Sequence, residues 1–236
     1  MRRQHLLLLC LLLSCTVRAQ FPNHNSKWGI TLSPGFVSNP NPTISINPGV
    51  EYRPGERFYL LGDIALPIVG LFRDSLQDRT YFRFRAEARY VFNMLNRKRK
   101  GLKFFLSKIL DYDNYIGIQV SYAYRSFRDV NGGKYFKEKN NDSLAIEFDN
   151  ANIKSPVFTA TLQWGAIYEL SNNFYIDLFM GVGVRMVTTR YSKVSNPHDA
   201  IYARGRHELF PYAHLYPWTV TRGQLNGGIR FIYRFD

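Results

Sequence analysis

Cysteine is nearly absent from this chain of 236 residues. It has two, Cys10 and Cys15, both within the first fifteen positions. Tryptophan (3) and methionine (4) are also scarce. No long apolar run follows residue 20. The most apolar stretch, LLGDIALPIVGLF at 60–72, is short and contains Asp63 and Pro67, which excludes a membrane-spanning helix there. No internal repeat or low-complexity tract stands out. No phosphate-cradling loop is present, because GVGVR (181–185) reads as the inside of a strand and not as the start of a helix. KSPVFTATLQWG holds no nucleophile elbow. Neither PHDA nor RHELFPYAH has zinc-site spacing, so no metal and no cofactor is expected.

The first twenty residues, MRRQHLLLLCLLLSCTVRAQ, begin basic with Arg2 and Arg3. They run apolar from Leu6 to Leu13 and reach VRA before Gln20. That layout predicts a secretory signal over 1–19, cut after Ala19, with one domain over 20–236. The apolar run is shorter than the about 20 residues of a spanning helix. Two other readings are a bacterial lipoprotein site, since LLSC ends at Cys15, and a buried N-terminal helix. Cleavage after Ala19 leaves no cysteine, hence no disulfide framework and no thiol chemistry. The net charge of +13 becomes +10 once Arg2, Arg3 and Arg18 are gone. A basic balance points to an anionic partner. For an exported chain that means lipid before nucleic acid, and the RKRK run (97–100) lies beyond the signal without a nucleic-acid-binding fold.

What the chain does have is aromatic residues, 16% of the total, and alternation with period two. In FRFRAEARYVF (82–92) every charge falls on an odd number: Arg83, Arg85, Glu87 and Arg89. The even positions are Phe82, Phe84, Ala86, Ala88, Tyr90 and Phe92. The same parity predicts eight strands, at about 27–37, 43–53, 57–68, 82–92, 115–126, 157–170, 174–189 and 222–235. Strands this long exceed the usual five or six residues of a soluble sheet and match tilted membrane strands of about 9–11.

Alternation alone does not say which face is wet. Residue size does. The polar faces carry Gly29, Gly35, Gly49, Gly117, Gly165, Gly181, Gly183 and Gly228. Glycine weakens a strand and needs a reason. The interior of an eight-stranded barrel is barely wide enough for side chains, which supplies that reason. The apolar faces are bulky throughout, as lipid permits. The fold class expected is therefore all-β: an eight-stranded antiparallel up-and-down transmembrane barrel with its charges inside. Arg83, Arg85, Arg89, Arg185 and Arg230 would meet Glu51, Asp63, Glu87, Glu169 and Asp177 in the lumen, since buried charges must be paired. Five of each sign predicts a plugged interior and not an open pore.

With the N-terminus in the periplasm, the tight turns RPGE (53–56) and SNN (171–173) fall on the periplasmic side. The segments 69–80, 127–156 and 190–221 become long extracellular loops. The basic, partly apolar segment 94–114 is either a solvated turn or an interfacial segment on anionic phospholipid.

NPGVEYRPGERFYLLGDIAL followed by YFRFRAEARYVFN resembles a family of exported barrel proteins known only as a domain of unknown function. More broadly the chain is similar to the small outer-membrane barrels of gram-negative bacteria, of the OmpA and OmpX kind. The alternation of Phe231, Tyr233 and Phe235 resembles their C-terminal assembly signal, with Asp236 as a departure. The resemblance implies an outer-membrane location and outer-membrane lipid as a partner, and no known activity. Lipopolysaccharide or an extracellular ligand would be met through 127–156 and 190–221. Some barrels of this size modify lipid A with His and Ser at the outer rim. The last loop holds those residue types in Ser192, Ser195, His198, Asp199, His207, Glu208 and His214. Three functions stay open: a structural or surface-binding barrel, a lipid A-modifying enzyme, and a narrow channel.

Overall fold

The computed structural model describes residues 27–37, 43–67, 76–92, 112–129, 134–138, 141–171, 173–200 and 216–235. The expected signal at 1–19, the basic segment at 94–111, and His207, Glu208, His214 and Asp236 lie outside these described residues. Among these described residues thirteen strands form. Eight of them are long: β1 (Trp28–Val37), β2 (Thr43–Tyr52), β3 (Phe58–Pro67), β4 (Leu76–Phe92), β5 (Tyr112–Asp129), β9 (Val157–Ser171), β10 (Phe174–Thr188) and β13 (Thr219–Arg234). Each pairs antiparallel with the next, β5 with β9 included. The circle closes through β1 and β13, where Gly29 faces Arg234 and Leu32 faces Phe231. The result is a closed eight-stranded antiparallel barrel. Along those four pairs, closure removes the free edges that would otherwise expose unpaired backbone.

Period two sets the two faces. Trp28, Ile30 and Leu32 of β1 point outward, while Thr31 and Ser33 are buried. On β4, Phe82, Phe84 and Tyr90 are exposed and Arg85, Glu87 and Arg89 are buried. On β10, Leu178, Met180, Val182 and Val184 point out, and Asp177 is buried.

Segment 127–156, expected as an open loop, is instead mostly strand. It contains the end of β5, β6 (Lys134–Glu138), β7 (Asn141–Phe148) and β8 (Asn150–Lys154). Beyond β10 follow β11 (Arg190–Ser195) and β12 (His198–Asp199). Strand β8 runs almost straight into β9, interrupted only at Ser155 and Pro156. Strand β10 runs into β11 past Thr189. β8 pairs with both β5 and β11, so three walls of the barrel continue upward past its rim. A separate sheet, β6–β7–β12, completes the cap. The reason is local burial: Phe127, Phe148, Ala151 and Ile153 form a small core of their own, with Phe136 and Tyr191 packed on it. A second cluster joins Tyr135, Ala145 and Ala200.

Candidate functional site: the charged lumen

The inward positions of the barrel stack into layers. Nearest the Arg53–Arg57 turn, Arg234 of β13 bonds Glu51 of β2, with Nε 2.7 Å from Oε1. The Arg234 guanidinium also lies over two rings, 4.1 Å from the Tyr175 centroid and 5.0 Å from that of Tyr59. Cation–π contacts of this kind strengthen where water is excluded.

The next layer gathers on Asp177 of β10. Arg89 Nη2 donates to its Oδ2 at 2.6 Å, Arg230 Nη1 donates to the same atom at 3.1 Å, and Tyr115 Oη donates to Oδ1 at 2.9 Å. Glu87 accepts from Arg89 Nε and, at 3.0 Å, from Arg230 Nη2. Two carboxylates and two guanidiniums thus alternate around a ring, and every one of the four side chains is at most 1% exposed. Burial at this depth is tolerable only because each charge faces the opposite sign and accepts or donates more than one bond.

Towards the cap, Arg85 Nε donates to Asp63 Oδ2 at 2.6 Å and its Nη2 donates to Ser33 Oγ at 3.1 Å. Arg83 Nη2 donates to Asn47 Oδ1 at 3.0 Å, and Asn47 Nδ2 donates to the Ser33 carbonyl at 3.0 Å. Above these lies a cavity of about 350 Å³, lined among others by Arg83, Arg85, Arg125 and Arg185.

Of the ten lumen residues read from the sequence, Glu51, Asp63, Arg85, Glu87, Arg89, Asp177 and Arg230 meet in these ion pairs. Arg83 and Arg185 face the cavity and make no ion pair with a described carboxylate. Glu169 departs from the expectation. It is exposed, because it lies one residue past Tyr168, where the pairing of β9 with β5 ends, at the rim of the wall. The parity of the sequence puts Asn47, Gln163 and Arg234 on the polar faces of their strands, though outside the expected set of charge partners; Tyr115 was missed, although it lies on the inward parity of β5.

Of the rim candidates, Ser192, Ser195 and His198 are described, and each bonds other groups. Ser195 Oγ accepts from the Asn150 N–H at 3.2 Å, and Ser192 Oγ donates to the Asn152 carbonyl at 3.5 Å, so both serines engage the β8 backbone. The His198 ring faces Glu147 at 3.5 Å and the Asn196 carbonyl at 2.9 Å. Among the described residues no three His, Cys, Asp or Glu side chains converge as metal ligands.

The fold and its lumen define a class: a small closed β-barrel with ionised residues buried inside and large apolar residues on its outer wall. No family model matches the chain, and no curated protein does, which leaves the resemblance to the exported family of unknown function without support. Among solved structures the chain is similar to the crystal structure of Neisserial surface protein A. The identity is 13%, the TM-score 0.37, and the match covers 89% of this chain and 98% of that one. At that identity and score the likeness carries no functional inference.

Proposed function

We propose that this chain is an outer-membrane β-barrel protein, structural or ligand-binding in role, that holds its cap of short strands at the cell surface and keeps its lumen shut. One observation carries the reading: the polarity of the barrel is inverted. Arg89, Arg230, Glu51 and Asp177 are inside, while Phe58, Trp164, Ile118 and Met180 stand more than half exposed on the outer wall. A continuous apolar wall of this extent is not sustained in water and is what bilayer hydrocarbon requires. Aromatic pairs at the turn end, Trp28 with Tyr52 and Phe58 with Tyr90, supply the interfacial girdle of such barrels. The ring of Glu87, Arg89, Asp177 and Arg230 fills the cross-section with side chains bonded to one another, which supports a plug over a conducting pore. The hydrogen bonds of Ser192 and Ser195 to the β8 backbone favour a structural part for these serines over lipid A chemistry.

The test is electrophoretic and electrical. The folded protein should stay with membranes in carbonate and migrate differently before and after boiling, since a closed barrel resists detergent. It should show no steady conductance in planar bilayers. Release by carbonate together with identical migration would overturn the membrane reading, and stable conductance steps would overturn the plug.

A further inference from the structure

The lumen charges divide unevenly along the barrel axis. Near the turn end and at mid-height, Glu51, Glu87 and Asp177 answer Arg234, Arg89 and Arg230 one for one. Asp63 answers Arg85. The cavity above them is different: beside Arg85, which meets Asp63, it is lined by Arg83, Arg125 and Arg185, and no described carboxylate lines it. Arg185 makes no hydrogen bond or ion pair with a described residue through its buried Nε, and its cross-strand neighbour on β13 is another cation, Arg222. Arg83 spends one amino group on Asn47, and its buried Nε has no described acceptor. The buried Tyr81 hydroxyl on the same wall has none either. Water can accept these hydrogen bonds but cannot neutralise the charge, and confinement among barrel walls makes the mutual repulsion stronger than it would be on a wetted surface.

The wall beside this cavity is also the one that is not sewn. The β1–β13 ladder covers four residue pairs and stops at Leu32 and Phe231. Above that point β1 continues to Val37 and β13 continues back to Thr219, yet among the described residues each pairs there only with its other neighbour, β2 or β10. Pro34 has no N–H to offer a ladder. Extended past Leu32, the register would set Gly35 opposite Gly228, and both line the cavity. Leu225, on the outer face of this stretch, is the most exposed large apolar residue, at 80%. The gap therefore leads from the arginine cavity through a glycine-flanked slot to the apolar outer wall.

We propose that this cavity is a binding site for a phosphate group, reached from above or sideways through the β1–β13 slot. A phosphate offers acceptor oxygens in several directions and up to two negative charges. That suits the guanidiniums of Arg83 on β4 and Arg185 on β10 better than a planar carboxylate does. The volume of about 350 Å³ holds a phosphate with a small polar substituent such as glycerol. The anion is either free phosphate or a lipid headgroup, and only the lipid route rests on the membrane reading above.

The experiment uses the folded chain in zwitterionic detergent, with heat-modifiable migration recorded first for every variant, so that loss of the barrel is told apart from loss of the site. Inorganic phosphate and dihexanoylphosphatidic acid are titrated calorimetrically. Saturable binding of at least one is expected. The pair Arg83→Gln and Arg185→Gln should weaken it tenfold or more. Arg57→Gln, a turn arginine bonded to Tyr90 on the outside, should leave it unchanged. Phosphatidate binding at least tenfold tighter than phosphate assigns the site to a lipid headgroup entering sideways. Equal or tighter phosphate binding assigns it to the free anion. A heat-modifiable barrel that binds neither, or one whose binding is indifferent to Arg83 and Arg185, overturns the proposal.

Discussion

Arg234 Nε lies 2.7 Å from Glu51 Oε1 although 183 positions separate them in the chain and all of β1 runs between their strands. Gly29 makes this possible. It pairs with Glu51 on one side and Arg234 on the other, so the three stand in one row across the wall. With no side chain at the middle position, the arginine crosses it. A Cβ on Gly29 would already lie 3.4 Å from Arg234 Cγ and 3.0 Å from the Tyr233 carbonyl oxygen. Gly29→Val adds two methyl groups beyond that point. It should destabilise the barrel by about 1–3 kcal/mol, the usual cost of overpacking, read from urea unfolding in lipid vesicles.

The pair itself is tested by removing one end. Glu51→Ala leaves Arg234 buried between two aromatic rings with no carboxylate, and should cost about 3–5 kcal/mol. The double variant Glu51→Ala with Arg234→Met should recover part of that loss, because the apolar pair carries no unpaired charge. A double-mutant cycle with no coupling would mean the two residues stabilise the barrel independently.

The cap should behave as a separate cooperative unit. Ile153 is 1% exposed and packs with Phe127, Phe148 and Ala151, away from the lumen. Ile153→Ala should cost about 2–5 kcal/mol of cap stability, the range for truncating a buried aliphatic side chain. Limited proteolysis should then cut within 130–156 while the barrel keeps its heat-modifiable migration.

How much of this was legible in the sequence follows from parity. A strand's inner and outer faces are fixed by odd and even numbering, so FRFRAEARYVF alone placed Arg85, Glu87 and Arg89 on one side and the phenylalanines on the other. Tyr115 and Phe179 were harder. They face inward, but an aromatic ring carries no sign of which face is wet, and Tyr115 lies across Gly165, where a Cβ would come within 2.5 Å of its hydroxyl. Glu169 went astray because parity gives the face of a strand and not where the barrel wall ends: it lies one residue past Tyr168, the last β9 residue paired with β5. The cap went unread because its strands are only two to eight residues long, too short for alternation to stand out. Their burial comes from each other and not from the barrel.

The decisive comparison is between neighbours on β4. Glu87 faces the lumen, bonded to Arg89 and Arg230; Ala88 faces outward, paired with Leu60 and Ile118, which are both exposed. Glu87→Ala removes one carboxylate from the ring of four, but Asp177 still accepts from both arginines at 2.6 Å and 3.1 Å. The loss should therefore sit near the lower end of the range for a broken buried pair, about 3 kcal/mol. Ala88→Arg should cost about 2–4 kcal/mol in vesicles, because the added charge enters hydrocarbon. Arg83→Gln should be milder than either, since among the described residues Arg83 bonds the neutral Asn47 and no carboxylate. A barrel dissolved in water reverses the Ala88 result: an arginine on its wetted outer wall would be tolerated or would improve solubility. Refolding titrations of the three variants into vesicles measure all of this, and an Ala88→Arg protein as stable as the parent would put water on the outside.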